Sequence, residues 1–254
     1  MAFTIAVSGK GGAGKTTMAG LIIRRLTEKG AAVLAVDADP NSCLGQYLGV
    51  APKRTIADIR EDAIQQRLAV SPGVPKERII QYELQACVLE SRKFDFIAMG
   101  RPEGPKCYCY VNHLLREYLD QLAGDYPFVV VDNEAGMEHL SRRTTNDVDV
   151  LLAVAEPTVI GLQTIERIFK LADTLPIVVR RREVVLNKVP PEAPNPWEEQ
   201  VRALGAAVVE SVPYDDAVYR DSLAGKTAFD FGTENEVYRR VAALADRLAA
   251  TKRP

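Results

Sequence analysis

The sequence predicts an α/β fold: a single P-loop domain spanning residues 1–254, with a mostly parallel twisted sheet and helices on both faces. Three observations predict it. Short apolar runs alternate with helical patterns along the chain. The first run, Phe3–Val7, leads straight into Gly9-Lys10-Gly11-Gly12-Ala13-Gly14-Lys15-Thr16-Thr17, which meets G-x-x-x-x-G-K-[ST] from Gly9 to Thr16. The run Ala32–Val36 ends on Asp37, as a buried parallel strand does at the edge where ligands bind.

Taken in order, Phe3–Val7 is the first strand and the glycine-rich segment its phosphate-binding turn. Met18, Leu21, Ile22 and Leu26 recur at helical spacing, with Arg24, Arg25, Glu28 and Lys29 on the other side. Gly30 stops that helix, so it runs from about Lys15 to Lys29. With strand Ala32–Val36 these elements form a right-handed βαβ unit. Later strands are expected at Phe94–Met99, Phe128–Asp132, Val150–Ala155, Glu183–Asn187 and Ala207–Val212. Helices are expected at Val111–Leu122, Leu162–Asp173, Pro196–Leu204 and Glu236–Ala249, the last with Val237, Val241, Leu244 and Leu248 on one stripe. Residues 50–93 read as an insertion beside the nucleotide site, helical over Thr55–Leu68 and interrupted at Ser71–Pro75. There is no internal repeat, and the tail Thr251–Pro254 is expected to fray.

Composition narrows the function classes. Thirty-two Lys and Arg against 34 Asp and Glu give a net charge of −2, which does not support broad attraction to nucleic acid or a membrane surface. No apolar run approaches the roughly 18 residues of a membrane span, and a cytoplasmic protein is expected. The four cysteines then read as thiols or ligands, not structural disulfides. Only His113 and His139 are available as histidine ligands, so any metal site leans on sulfur. Cys43 and Cys87 read as buried small residues.

The chemistry-bearing residues follow the strand ends. Backbone N–H groups over Gly11, Gly12, Ala13, Gly14, Lys15, Thr16 and Thr17 suit a β-phosphate, with the positive end of the helix behind them. Lys15 suits the β- and γ-phosphates of ATP, and the Thr16 hydroxyl suits Mg²⁺. Lys10 is directed away from its own nucleotide, so it is useful where a second copy presents a phosphate to it. Asp39, in Asp37-Ala38-Asp39-Pro40, suits a carboxylate that orients water on the γ-phosphate; an Asx-type turn is the plainer alternative. Asp37 can act likewise or only anchor the loop. Asp132 closes Phe128–Val131 and suits a second Mg²⁺-water ligand, while Gly136 offers a γ-phosphate-sensing N–H. His139 beyond it reads as structural. Asn187, Lys188 and Pro213 stand at late strand ends and suit the adenine edge.

Lys106-Cys107-Tyr108-Cys109-Tyr110 supplies two thiolates, too few for a four-coordinate site. Two copies across a two-fold axis supply four, suiting tetrahedral Zn²⁺ or square-planar Ni²⁺. The alternatives are incidental thiols at a helix start, or a redox pair. His113, four residues beyond Cys109, fits the helix surface. Arg142-Arg143 and Arg180-Arg181-Arg182 read as solvated or partner-facing.

These residues carry a resemblance. The GKGGAGKTT segment is similar to the deviant P-loop of the MinD/ParA/nitrogenase-iron-protein class of dimeric ATPases. Within that class, Asp37–Gly45, Cys107-Tyr108-Cys109 and Ala135–Leu140 resemble the CooC/AcsF nickel-insertion ATPases. The resemblance implies ATP-driven dimerisation with Lys10 acting across the dimer and Asp39 and Asp132 serving the switches. It implies Ni²⁺ at Cys107 and Cys109, and delivery to a client, carbon monoxide dehydrogenase or acetyl-CoA synthase. Asn133-Glu134 departs from the Met-Gly that some members place after the switch aspartate. Two other functions fit Lys10: a MinD/ParA-type positioning ATPase, and an electron-transfer ATPase with an intersubunit iron–sulfur cluster. The first needs a basic surface or bulky amphipathic anchor. The second uses cysteines far apart in sequence.

Overall fold

The structure is a computed structural model and describes residues 2–39, 42–65, 75–100, 109–134, 147–175, 177–191 and 197–252; the side chains of residues 64, 76, 77 and 109–116 are outside that description. Its elements run β1 (Phe3–Gly9), α1 (Lys15–Glu28), β2 (Val33–Ala38), α2 (Cys43–Leu48), α3 (Ile56–Ile64), α4 (Lys76–Gln85), β3 (Leu89–Glu90), β4 (Asp95–Ala98) and α5 (Cys109–Gly124). They continue as β5 (Phe128–Asn133), β6 (Asp147–Ala155), α6 (Val159–Thr174), β7 (Val178–Val189), α7 (Trp197–Ala203), β8 (Ala207–Pro213), α8 (Asp216–Leu223), a 3-10 turn (Ala228–Asp230) and α9 (Glu236–Ala250).

The eight strands form one sheet in the order β3-β4-β2-β5-β1-β6-β7-β8, all parallel except the two-residue edge strand β3. β1 lies between β5 and β6, so the turn after it opens where the chain order reverses. That crevice at the strands' carboxyl ends is the binding edge of an open α/β sheet.

Alternate residues along the central strands face opposite layers. Ile5, Val7 and Val130 join Leu21, Ile22 and Leu26 of α1 and Val241, Leu244 and Leu248 of α9 on one face. On the other face Leu34, Ile97 and Val131 meet Ile59, Leu84 and Leu119 from α3, α4 and α5. Beside them Ala6, Leu151 and Val184 meet Ile165 and Phe169 of α6 and Val201 of α7. Leu21 is wholly buried, and Leu21→Ala would cost about 3 kcal/mol through lost contacts and a cavity under the phosphate loop's helix.

Local rules set several boundaries. α3 begins at a capping box in which the Asp58 N–H donates to Thr55 Oγ1 (3.2 Å) and the Thr55 N–H donates to Asp58 Oδ2 (2.7 Å). α1 ends as Gly30 turns left-handed at φ 79° and its N–H donates to Thr27 O. Asn235 caps α9 by accepting from the N–H groups of Val237 and Tyr238.

Some expectations differ from the structure. Arg24, placed on the polar side of the first helix, is buried. α9 and the 3-10 turn cover that side, and the guanidinium is satisfied by Glu28, by the Ala228 and Phe231 carbonyls and by the Tyr238 ring. Cys43 is exposed, not buried: it is the first residue of α2, and Leu44 is the one that turns inward. β7 starts at Val178, five residues before the expected Glu183, because three consecutive arginines hide the strand pattern. The sequence reading did not separate α2, α4, α8 and β3; α8 is only eight residues long and none of them is fully buried.

Candidate functional site

The loop after β1 is shaped by positions that admit no side chain. A Cβ on Gly9 would stand 2.2 Å from Val154 O in the neighbouring strand, and one on Gly14 would stand 2.3 Å from Asn187 Nδ2. Gly12 and Gly14 are left-handed at φ 80° and 94°, conformations that favour glycine. Between them the Ala13 N–H donates to Lys10 O at 3.1 Å, closing a tight turn. α1 then starts at Lys15 directly behind the loop, with Thr16 and Thr17 in its first turn and no side-chain cap on its leading N–H groups. An uncapped helix start behind a glycine turn is an anion-binding arrangement.

The two lysines of the loop differ in exposure. Lys15 is buried and its Nζ reaches Lys10 O at 3.4 Å, inside the loop. Lys10 has an exposed side chain.

Two aspartates stand side by side under the loop, because β2 and β5 align Asp37 with Asp132. Both are fully buried. Thr16 Oγ1 donates to Asp132 Oδ2 at 2.6 Å, while Asp132 Oδ1 is buried with no partner among the described residues. Burial pushes the Asp132 carboxyl up to about 7; the Thr16 hydroxyl and Lys15 pull it back, and the Asp37 charge adds to the rise. Asp37 accepts the N–H groups of Asp39 (3.2 Å), Leu44 (3.0 Å) and Gly45 (3.3 Å). Its carboxyl rises to about 6 through burial, which outweighs those three donors. Asp37 is therefore an anchor for the β2–α2 connection, one of the two roles left open for it. Asp39 sits half-buried at the same edge, its carbonyl accepting from the Ser42 N–H at 2.9 Å.

The Thr16 hydroxyl and the orphaned Asp132 oxygen fit Mg²⁺, a hard cation that takes oxygen donors. Ser8 Oγ and Asn133 Oδ1 are two further buried atoms without partners among the described residues, at the ends of the two central strands. Asn133 also donates to Val7 O at 3.1 Å. Neither residue was singled out in the sequence as a site residue, since nothing in the pattern distinguishes a buried Ser or Asn at a strand end.

The late strands reach the same edge. Asn187 Nδ2 donates to Ala13 O at 2.8 Å, and Lys188 Nζ donates to Gly12 O and to Glu156 Oε1, both at 2.7 Å. Lys188 is left-handed at φ 57°, which costs of order 1 kcal/mol for a non-glycine residue, and the β7–β8 register shifts around it. The Tyr214 N–H donates to Val189 O at 3.2 Å, which holds Pro213 beside this corner. Glu156 was missed; its signal is a Glu-Pro pair closing the apolar run of β6 at this edge.

Gly136, His139 and Cys107 lie outside the described residues, as do Arg142 and Arg143. Cys109 opens α5, and neither its side chain nor that of His113 is described. Among the described residues no cluster of three or more His, Cys, Asp or Glu could hold a metal ion, and no helix is long and apolar enough to cross a membrane.

Residues 4–228 match the sequence model of the CobQ/CobB/MinD/ParA nucleotide binding domain. The chain belongs to this family. Two relatives align over nearly the whole length of both chains. An uncharacterized ATP-binding protein of Methanocaldococcus jannaschii, MJ0685, is 40% identical over 98% of this chain and 99% of its own. The carbon monoxide dehydrogenase accessory protein CooC of Rhodospirillum rubrum is 30% identical over 98% of each. Among solved structures, the MinD cell division protein of Aquifex aeolicus superposes with a TM-score of 0.70 at 21% identity, covering 100% of this chain and 99% of that one. The Pyrococcus furiosus cell division ATPase MinD gives 0.68 at 22%, covering 98% and 99%. These two fix the fold: a single MinD/ParA-type P-loop domain with a mostly parallel sheet. As a CobQ/CobB/MinD/ParA domain, the chain is of an ATP-binding P-loop class.

Proposed function

We propose that this protein is an ATP-dependent nickel metallochaperone that serves carbon monoxide dehydrogenase or acetyl-CoA synthase. The observation that carries the proposal is the Cys107-Tyr108-Cys109 segment in a chain that aligns end to end with a carbon monoxide dehydrogenase accessory protein. Two thiolates per chain call for a second copy, and Lys10, exposed on the loop, is the group that would meet the second copy's phosphate.

The reaction is hydrolysis of ATP to ADP and phosphate. The N–H groups of Gly11–Thr17 and the start of α1 hold the β-phosphate, and Lys15 reaches to the β- and γ-phosphates. Thr16 and Asp132 would hold Mg²⁺, which when bound neutralises phosphate charge. Asp39 orients the attacking water, Gly136 senses the γ-phosphate, and Pro213 and the backbone beside it face the adenine. Lys10 closes over the partner's nucleotide and stabilises charge that develops there.

Nickel is the cargo. ATP draws two chains together and aligns four sulfurs, Cys107 and Cys109 from each, around one Ni²⁺; Zn²⁺ fits the same sulfurs in tetrahedral form. Hydrolysis loosens the loops that follow Asp39 and Asp132 and lets the ion pass to the client. The coupling requires the ATP and ADP states to differ in nickel affinity, since a ligand shifts only what it binds differentially.

The test is activation of nickel-free carbon monoxide dehydrogenase and of nickel-free acetyl-CoA synthase by the nickel-loaded protein. One of the two should gain activity with ATP and not with ADP or with the Cys107→Ala/Cys109→Ala variant. Activation by that variant equal to wild type would end the proposal.

A further inference from the structure

We propose that Asn187, Lys188 and Glu156 form a brace that sets the shape of the phosphate loop from behind, with Glu156 a positioning residue that acts through Lys188. The proposal rests on the reading of this edge as the nucleotide site. It gives Asn187 and Lys188, which the sequence suggested for the adenine edge, a role at the loop itself.

Two consecutive peptide units of the loop are held from the β7 side: Gly12 O by Lys188 Nζ at 2.7 Å and Ala13 O by Asn187 Nδ2 at 2.8 Å. A trans peptide carries its C=O and N–H on opposite sides. Holding Gly12 O therefore directs the Ala13 N–H into the turn, where it meets Lys10 O at 3.1 Å. Holding Ala13 O likewise directs the Gly14 N–H away from β7. That N–H immediately precedes the leading N–H groups of α1, so the brace aims the donors a phosphate would use.

Several features of the chain serve this contact. Gly14 has no Cβ, and one would stand 2.3 Å from Asn187 Nδ2. Lys188 is left-handed at a position where the ladder with β8 is irregular, so its side chain leaves the sheet and reaches the loop. Glu156 holds the same ammonium at 2.7 Å. The turn that carries Glu156 is itself tight: the Thr158 N–H donates to Glu156 O, and a Cβ on Gly161 would stand 2.1 Å from that oxygen. The Lys188–Glu156 pair is 40% and 44% exposed, and ion pairs so open to water add little to folding. A geometric role therefore predicts an effect on nucleotide binding that is out of proportion to any effect on melting.

The test uses the full chain and Mg·ADP binding by titration calorimetry, with steady-state ATP hydrolysis and thermal melting of the nucleotide-free protein alongside. Lys188→Met should weaken Mg·ADP about tenfold and Glu156→Gln about threefold, as expected for losing or loosening a charge-assisted hydrogen bond to the loop. Both should raise KM in parallel with Kd while kcat changes less than about twofold, and the melting temperatures should stay within a few degrees of wild type. Lys188→Arg, which keeps the charge and the donors, should recover most of the affinity. In the Lys188→Met background Glu156→Gln should cost nothing further. Should Lys188→Met not fold, Glu156→Gln and Glu156→Ala carry the test by the same split between binding and melting. Wild-type affinity in Lys188→Met, or an undiminished Glu156→Gln loss in that background, overturns the brace while leaving the nucleotide site intact. A wild-type protein that binds no Mg·ADP overturns the nucleotide site and the brace together.

Discussion

The two ends of the sheet treat their polar side chains in opposite ways. At the amino edge, Arg180 pairs with Asp147 (2.8 Å) and Asp149 (3.3 Å), and Arg181 bonds Thr251 (2.8 Å) and lies over the Phe3 ring. Arg182 pairs with Asp173, holding that carboxyl below its usual range, and lies over Phe169. At the carboxyl edge, Asp37, Asp132, Ser8 and Asn133 are fully buried, and among the described residues the last three keep an oxygen without a partner. The amino edge is solvated and internally paired, which contributes little to stability and offers little to a ligand. The carboxyl edge holds buried, under-satisfied polar groups at a cost to stability, which is the mark of a site. Arg180–Arg182, expected to be solvated or partner-facing, pair within the chain at this solvated edge with acidic residues of β6 and α6.

The largest expected contrast is in catalysis. Lys15→Ala should lower ATP hydrolysis by about three orders of magnitude, measured as phosphate release, with the fold intact by circular dichroism. Hydrolysis near the wild-type rate would remove Lys15 from the reaction. Gly14→Ala comes next: its Cβ meets Asn187 at 2.3 Å from a left-handed backbone, so a loss of about 3 kcal/mol is expected in urea unfolding. A neutral result would mean the loop gives way freely. Asp37→Ala leaves the Asp39, Leu44 and Gly45 N–H groups without their acceptor and should cost about 2 kcal/mol.

Asp37 also predicts a pH dependence. Its folded carboxyl lies at about 6, above its ordinary 3.8, so the folded chain binds this proton more tightly than the unfolded one. The stability it contributes is complete below about pH 4 and is lost as pH rises through about 6. Asp37→Asn should flatten the wild-type slope of melting temperature over that window; an unchanged slope would assign it to other groups. The smallest effect belongs to the other edge. Arg180→Ala should change stability by less than about 0.5 kcal/mol, less still in 1 M salt, and leave ATP hydrolysis unchanged. A large loss there would break the contrast between the edges.

The sequence carried the sheet because buried strands such as Phe128–Val131 are apolar without interruption and end on a chemically distinct residue. It carried α9 because that helix shows one apolar stripe, and α1 because Met18, Leu21, Ile22 and Leu26 recur at helical spacing. It lost the first half of β7, whose arginines are paired across strands and helices, and the burial of Arg24, whose partners are backbone carbonyls some 200 residues away. The site divides along the same line. Gly9–Thr16 and Asp132 are local patterns at strand ends and were legible. The Asn187–Ala13, Lys188–Gly12 and Thr16–Asp132 contacts join segments more than 100 residues apart, which periodicity does not encode.

The central claim is that nucleotide state and nickel are linked through a dimer. Its most direct test is nickel stoichiometry by equilibrium dialysis together with dimer mass by light scattering, each with Mg·ATP, with Mg·ADP and without nucleotide. One Ni²⁺ per dimer in the ATP state, weaker binding with ADP, and loss of nickel in Cys107→Ala/Cys109→Ala are the predicted result. Nickel binding that is the same in all three nucleotide states, or that survives removal of both cysteines, would contradict it.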